Sequence, residues 1–253
     1  MKTPILYVGA PGVGKTAKVR QKYDHCEVLL LSSQSEEDVV GIPYRDGDKE
    51  KRTVPPYIQR LQGATGTKCL FLDEIDKARR EVADTLLTLV THPQLFGIPE
   101  GTDIVAAANP PEWGGGDGLS LPMINRFSVI NFTPDFEEWA SFISKKYGSI
   151  PLVEQVIEGI RSQQLPFLES NGDGLDWRMT SPRSIDAALS VLINEPENSS
   201  QVVMGLVTPN MGSGMIRIAD RLGITNISSN EHEQVHNISR SVGSAALKKV
   251  FRR

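Results

Sequence analysis

"GAPGVGKT", residues 9–16, decides how the rest of this chain is read. It fits the pattern G-x-x-x-x-G-K-[ST], which average residue usage produces by chance in a chain of this length about once in a hundred. A short apolar run, "ILYV" (5–8), precedes it, and a helix-length segment, "GKTAKVRQKY" (14–23), overlaps its end and continues it. A strand, a glycine-rich turn and a helix start are what a backbone cradle for phosphate requires. Glycines let N–H groups close around the anion, and the helix aims its positive end at it. Gly9, Ala10, Pro11, Gly12, Val13 and Gly14 supply the cradle, Lys15 reaches the β and γ phosphates, and Thr16 sets its hydroxyl on Mg²⁺. A glycine-rich turn without a ligand is the competing reading, and the flanking strand and helix weigh against it.

Working outward, three more apolar runs follow: "EVLLLS" (27–32), "KCLFLDE" (68–74) and "DIVAAAN" (103–109). Short, nearly all-apolar runs are what buried parallel strands look like. Between them lie "PPYIQRLQG" (55–63) and "ARREVADTLLTLV" (78–90), both of helix length. Strand alternating with helix implies a parallel sheet covered on both faces. Residues 1–135 are therefore expected to form an α/β nucleotide-binding domain, an αβα sandwich of the P-loop kind. After "FTPD" (132–135) apolar residues recur at helical spacing in "FEEWASFISKKY" (136–147), "PLVEQVIEGIRSQQ" (151–164) and "SPRSIDAALSVLI" (181–193). Residues 136–253 are expected to be a smaller, mainly helical domain with a C-terminal tail. "GDKEKR" (47–52) suits a solvated hairpin tip, "MGSGM" (211–215) a hinge in preference to a ligand-approaching turn, Trp139 and Trp177 suit core anchors, and the basic end "AALKKVFRR" (245–253) suits a solvated surface helix.

"CLFLDEID" (69–76) is an apolar run ending in acids. An acid at the carboxyl end of a buried parallel strand faces the ligand crevice. Asp73 is placed to hold the Mg²⁺ shell, and Glu74 to orient and deprotonate an attacking water. Both acids also suit the start of the next helix.

Bulk numbers narrow the partners. The chain has 253 residues, 39% hydrophobic and 23% charged, with a net charge of −4 and a pI near 5.7. That balance supplies no global basic field for a phosphate backbone, so non-specific duplex binding is disfavoured. Two cysteines, Cys26 and Cys69, and no CxxC fit a reducing compartment rather than a disulfide framework or zinc ribbon. The N-terminus does not have the form of a signal peptide, and no stretch approaches a membrane span. A cytoplasmic protein, with no membrane partner, is expected.

"GAPGVGKT", "CLFLDEID", "VAAANPPE" (105–112) and "LSLPMINRF" (119–127) occur in the order found in AAA+ ATPases. The chain resembles the MoxR-like and dynein-related branch of that family. "SQSEEDVVGIPYRDG" (33–47) is similar to the segment where that branch inserts a hairpin into its second helix, and "SPRSIDAAL" (181–189) to its second sensor. The resemblance implies ATP and Mg²⁺ as cofactors. It matches Lys15 and Thr16 to the Walker A pair, and Asp73 and Glu74 to the Walker B pair. Asn109 matches the first sensor, Arg183 the lid arginine, and Arg126 the arginine finger that serves a neighbouring subunit's ATP. Asn109 before Pro110 also suits a turn, Arg183 also suits a surface charge at a helix start, and Arg126 also suits an interface salt bridge. Only three residues precede Pro4, where AAA+ chains commonly carry a linker on the adenine, so another segment is expected to hold the base. "THPQLFGIPEGT" (91–102) is short for the hairpin this branch carries there.

By resemblance, the expected function is ATP hydrolysis by a homo-oligomeric, hexameric ring that remodels or assembles a protein client, of which a von Willebrand A domain protein is one kind. Two other readings stay open: a nucleotide-gated assembly module with little turnover, and a DNA-acting motor. Glu74 weighs against the first and the acidic balance against the second. "HEQVH" (232–236) matches the HExxH zinc-protease pattern, but residues 237–253 contain no Asp, Glu, His or Cys to supply a third ligand.

Overall fold

The structure is a computed structural model that describes residues 3–113, 119–170, 178–195 and 199–224. Its contacts divide the chain into two compact units, Met1–Thr133 and Pro134–Arg253.

In chain order the first unit contains β1 (Ile5–Val8), α1 (Lys15–Lys22), β2 (His25–Leu30), α2 (Glu36–Val40), β3 (Pro43–Asp46), β4 (Lys49–Arg52), α3 (Pro56–Gly63), β5 (Lys68–Asp73), α4 (Arg80–Thr91), β6 (Thr102–Ala108), α5 (Leu121–Ile124) and β7 (Ser128–Asn131). Five strands form one sheet in the order β2-β5-β6-β1-β7, and every pairing in it is parallel. The central strand sequences explain the layers. In β5 Leu70, Phe71 and Leu72 are fully buried, and alternation sends them to opposite faces. Phe71 joins Val19 of α1 on one side. Leu70 and Leu72 join Ile58 and Leu61 of α3 and Val82, Leu86, Leu89 and Val90 of α4 on the other. An apolar strand with no polar face is stable only between two helical layers, and that sandwich is the fold expected from the alternating pattern.

Two local expectations shift. The second strand is His25–Leu30, not residues 27–32, because its register with β5 ends at Leu30 opposite Asp73, where β5 itself ends. Leu31–Ser33 then forms a 3-10 turn. The strand β7 has no counterpart among the apolar runs: "SVIN" is short and exposed throughout, yet it pairs with β1 from Ile5↔Ser128 to Val8↔Asn131. The strands β3 and β4 pair as an exposed antiparallel hairpin between α2 and α3. The described segment between α4 and β6 contains only the 3-10 turn Pro93–Phe96.

The second unit contains α6 (Phe136–Tyr147), α7 (Pro151–Arg161), β8 (Glu169–Ser170), β9 (Met179–Thr180), α8 (Pro182–Asn194), α9 (Ser199–Leu206) and α10 (Pro209–Arg221). Its core joins Trp139 and Ile143 of α6, Leu152 and Val156 of α7, Ile185 and Leu189 of α8 and Met211 and Met215 of α10. Trp139 is a core residue, donating from its indole to the Pro182 carbonyl at 3.3 Å. "MGSGM" is not a hinge, because it lies inside α10. A Cβ on Gly214 would stand 2.1 Å from Leu165 Cδ2, and one on Gly212 2.7 Å from Met204 Sδ. These glycines serve close packing of the helix. Trp177, "HEQVH" and the basic end "AALKKVFRR" lie outside the described residues.

Candidate functional site

The carboxyl ends of β1, β5 and β6 open on one edge of the parallel sheet, which is where ligands enter such sheets. The loop after β1 has Gly12 at φ 74° and Gly14 at φ 98°, left-handed values that suit glycine. Gly9 is needed for a different reason: a Cβ there would lie 2.4 Å from the Phe132 carbonyl oxygen. The loop is tied to the sheet by Gly9 N–H donating to the Ala108 carbonyl at 3.2 Å.

Lys15 opens α1 and its side chain folds back over the loop. Its ammonium donates to the carbonyls of Gly9 (2.6 Å) and Ala10 (2.9 Å) and to Asn109 Oδ1 (2.7 Å). The residue is only 8% exposed, so the charge is held by these acceptors rather than by bulk water. Thr16, the next residue, donates from Oγ1 to Asp73 Oδ2 at 2.8 Å. Asp73 Oδ1 accepts from Glu74 N–H at 3.0 Å. Glu74 has φ 55° and ψ 43°, an uncommon left-handed conformation for a residue with a side chain, of a kind that costs about 1–3 kcal/mol and clusters at functional sites. Its carboxylate lies 3.5 Å from Lys77 Nζ.

A third acid of "DEID" joins this group without having been singled out by its sequence. Asp76 is buried, and its Oδ1 accepts from the backbone N–H of Asn109 at 3.2 Å. One short turn thus carries Asp73, Glu74 and the acceptor that seats Asn109. The acidic triplet was visible in the sequence, but the hydrogen bond to a strand end 33 residues away was not.

One expected site residue of the first unit stands apart from this cluster. Arg126 makes no hydrogen bond to the loop. Its Nε donates to Thr91 Oγ1 (2.9 Å) and to the Leu87 carbonyl (3.1 Å), and its Nη1 to the Pro122 carbonyl (2.6 Å). Arg183 belongs to the second unit, in the first turn of α8, where it is exposed.

The donor set at the loop suits a hard cation shared with a phosphate. Among the described residues no group of three or more His, Cys, Asp or Glu is placed to hold a metal ion. The Thr16 hydroxyl and Asp73 carboxylate are two oxygens that could supply part of a shell. Mg²⁺ favours that arrangement, taking one or two protein oxygens and completing its octahedron with water and substrate phosphate.

The first unit is similar to a known family. Residues 4–127 match the family model described as AAA domain (dynein-related subfamily). Solved structures of Thermotoga maritima RuvB are also similar. One, titled a Holliday junction branch migration motor, is 15% identical with a TM-score of 0.46, over 91% of this chain and 66% of that one. A single-residue variant of the same protein is 14% identical with a TM-score of 0.47, over 85% of this chain and 61% of that one. The chain thus spans a little under two thirds of the length of these structures. No helix among the described residues is long and apolar enough to cross a membrane. Residues 4–127, which hold the phosphate-type loop, the acidic strand end and four of the five strands of the parallel sheet, are thus similar to the AAA domain of the dynein-related subfamily.

Proposed function

We propose that this protein is a Mg²⁺-dependent, MoxR-like ATPase that works as an oligomeric ring, hexameric by analogy, on a protein client. The observation that carries the reading is the contact of Thr16 Oγ1 with Asp73 Oδ2, with Glu74 as the very next residue. A hydroxyl and a carboxylate suited to Mg²⁺ stand beside the acid to which the water's proton is assigned, which supports the ATPase reading; the ring and the client rest on family analogy.

The residues divide the work as follows. Loop N–H groups from Gly9 to Gly14, with Lys15, hold the β and γ phosphates. Thr16 and Asp73 hold Mg²⁺, which when bound neutralises charge on the phosphate oxygens. Water attacks the γ-phosphorus, its proton passes to Glu74, and the bond to the ADP oxygen breaks. Asn109, seated by Asp76 and one hydrogen bond from Lys15, orients that water. Arg126 of one subunit stabilises the charge on the neighbour's ATP, and by family analogy Arg183 serves the γ-phosphate as a second sensor. Family analogy alone suggests a von Willebrand A domain protein as a partner and the cytoplasm as the location.

Glu74→Gln tests this directly. Equilibrium binding of ATP should be retained while steady-state phosphate release falls about 10²–10⁴-fold, the usual worth of a general base. Equal, slow turnover in both forms would instead fit an assembly module without a catalytic cycle.

A further inference from the structure

Arg126 sits on the last turn of α4, and the details of that seat assign a role to a residue no motif marks. Thr91 is the final residue of α4. Its hydroxyl donates to the Leu87 carbonyl at 2.8 Å, so its one proton is committed and its lone pairs face outward to a donor. Arg126 Nε is that donor, at 2.9 Å, and it also reaches the same Leu87 carbonyl at 3.1 Å. The carbonyl end of a helix carries partial negative charge, which favours a guanidinium there. With Nη1 held by the Pro122 carbonyl at 2.6 Å, two sides of the planar fork are fixed. Among the described residues Nη2 makes no hydrogen bond, and no carboxylate pairs with this arginine.

We propose that Thr91 is the positioning residue of Arg126: its hydroxyl holds the guanidinium so that the Nη2 edge is presented to the neighbouring subunit's phosphate. The inference rests on the proposed action of Arg126 across the subunit boundary. Valine matches threonine in shape and lacks the hydroxyl. Thr91→Val should therefore lower turnover about threefold to tenfold, the effect of losing one hydrogen bond to a charged group that is partly open to water. KM for ATP should stay unchanged, and Thr91→Ser should restore the rate.

Mixed oligomers separate this role from a merely structural one. Lys15→Ala subunits retain Arg126, and Arg126→Ala subunits retain the phosphate loop, so activity in a mixture comes from sites that combine the two. Thr91→Val added to the Lys15→Ala subunit should reduce the recovered activity about threefold to tenfold. The same substitution added to the Arg126→Ala subunit should not change it. An equal loss in both placements, or no loss in either, overturns the assignment. If the pair without any Thr91 change recovers nothing in oligomers shown to contain both subunits, the trans role of Arg126 fails first, and the Thr91 assignment with it.

Discussion

The two ends of α4 carry opposite chemistry. Its amino end follows the turn of Asp73, Glu74 and Asp76, where the candidate groups are bonded to one another: Thr16 to Asp73, Lys15 to Asn109, Asn109 to Asp76. Its carboxyl end holds one cation, Arg126, by a hydroxyl and two carbonyls. The helix between them has 12 residues and is about 18 Å long at the usual rise per residue. The first end is the candidate site for a phosphate and a hard cation. The second is a placed charge without an anion among the described residues, which suits supply to another chain. On the proposed function, this one helix joins what a subunit does to its own nucleotide and what it offers to its neighbour's.

The largest effect that can break this comparison is at Arg126. Arg126→Ala should cost about 10³–10⁵ in turnover, as arginine fingers do, with ATP affinity retained, measured by binding alongside phosphate release. A loss of affinity instead of rate would move Arg126 to the binding side. Glu74→Gln is expected to fall short of that loss by about tenfold at either bound, and a larger loss at Glu74 would shift the weight of catalysis to the amino end. The smallest effect sharpens the amino end alone. Gly9→Ala pushes a methyl against the Phe132 carbonyl and should destabilise the fold by about 1–3 kcal/mol, seen as a lower Tm. An unchanged Tm would show that the loop can move away from β7 freely.

What the sequence disclosed follows from how local each feature is. "GAPGVGKT" and "CLFLDEID" concentrate their chemistry within eight residues each, and the buried strands announce themselves as apolar runs. The strand β7 does not, because four exposed residues on a sheet edge carry no hydrophobic signature. The glycines of "MGSGM" serve packing against Leu165 and Met204, partners that composition cannot show. Asp76 and Thr91 were missed for the same reason: each acts on a residue more than 30 positions away, and a serviceable acid or hydroxyl looks the same in sequence whether or not it has such a partner. Arg126 is singled out by its motif, but its seat on α4 is a tertiary fact.

The claim that one chain is only part of the enzyme is tested most directly by complementation. Lys15→Ala and Arg126→Ala subunits, each inactive alone, are mixed, shown by native mass spectrometry to share oligomers, and assayed for phosphate release. Recovered turnover is the predicted result. Oligomers that contain both subunits and remain inactive would contradict it.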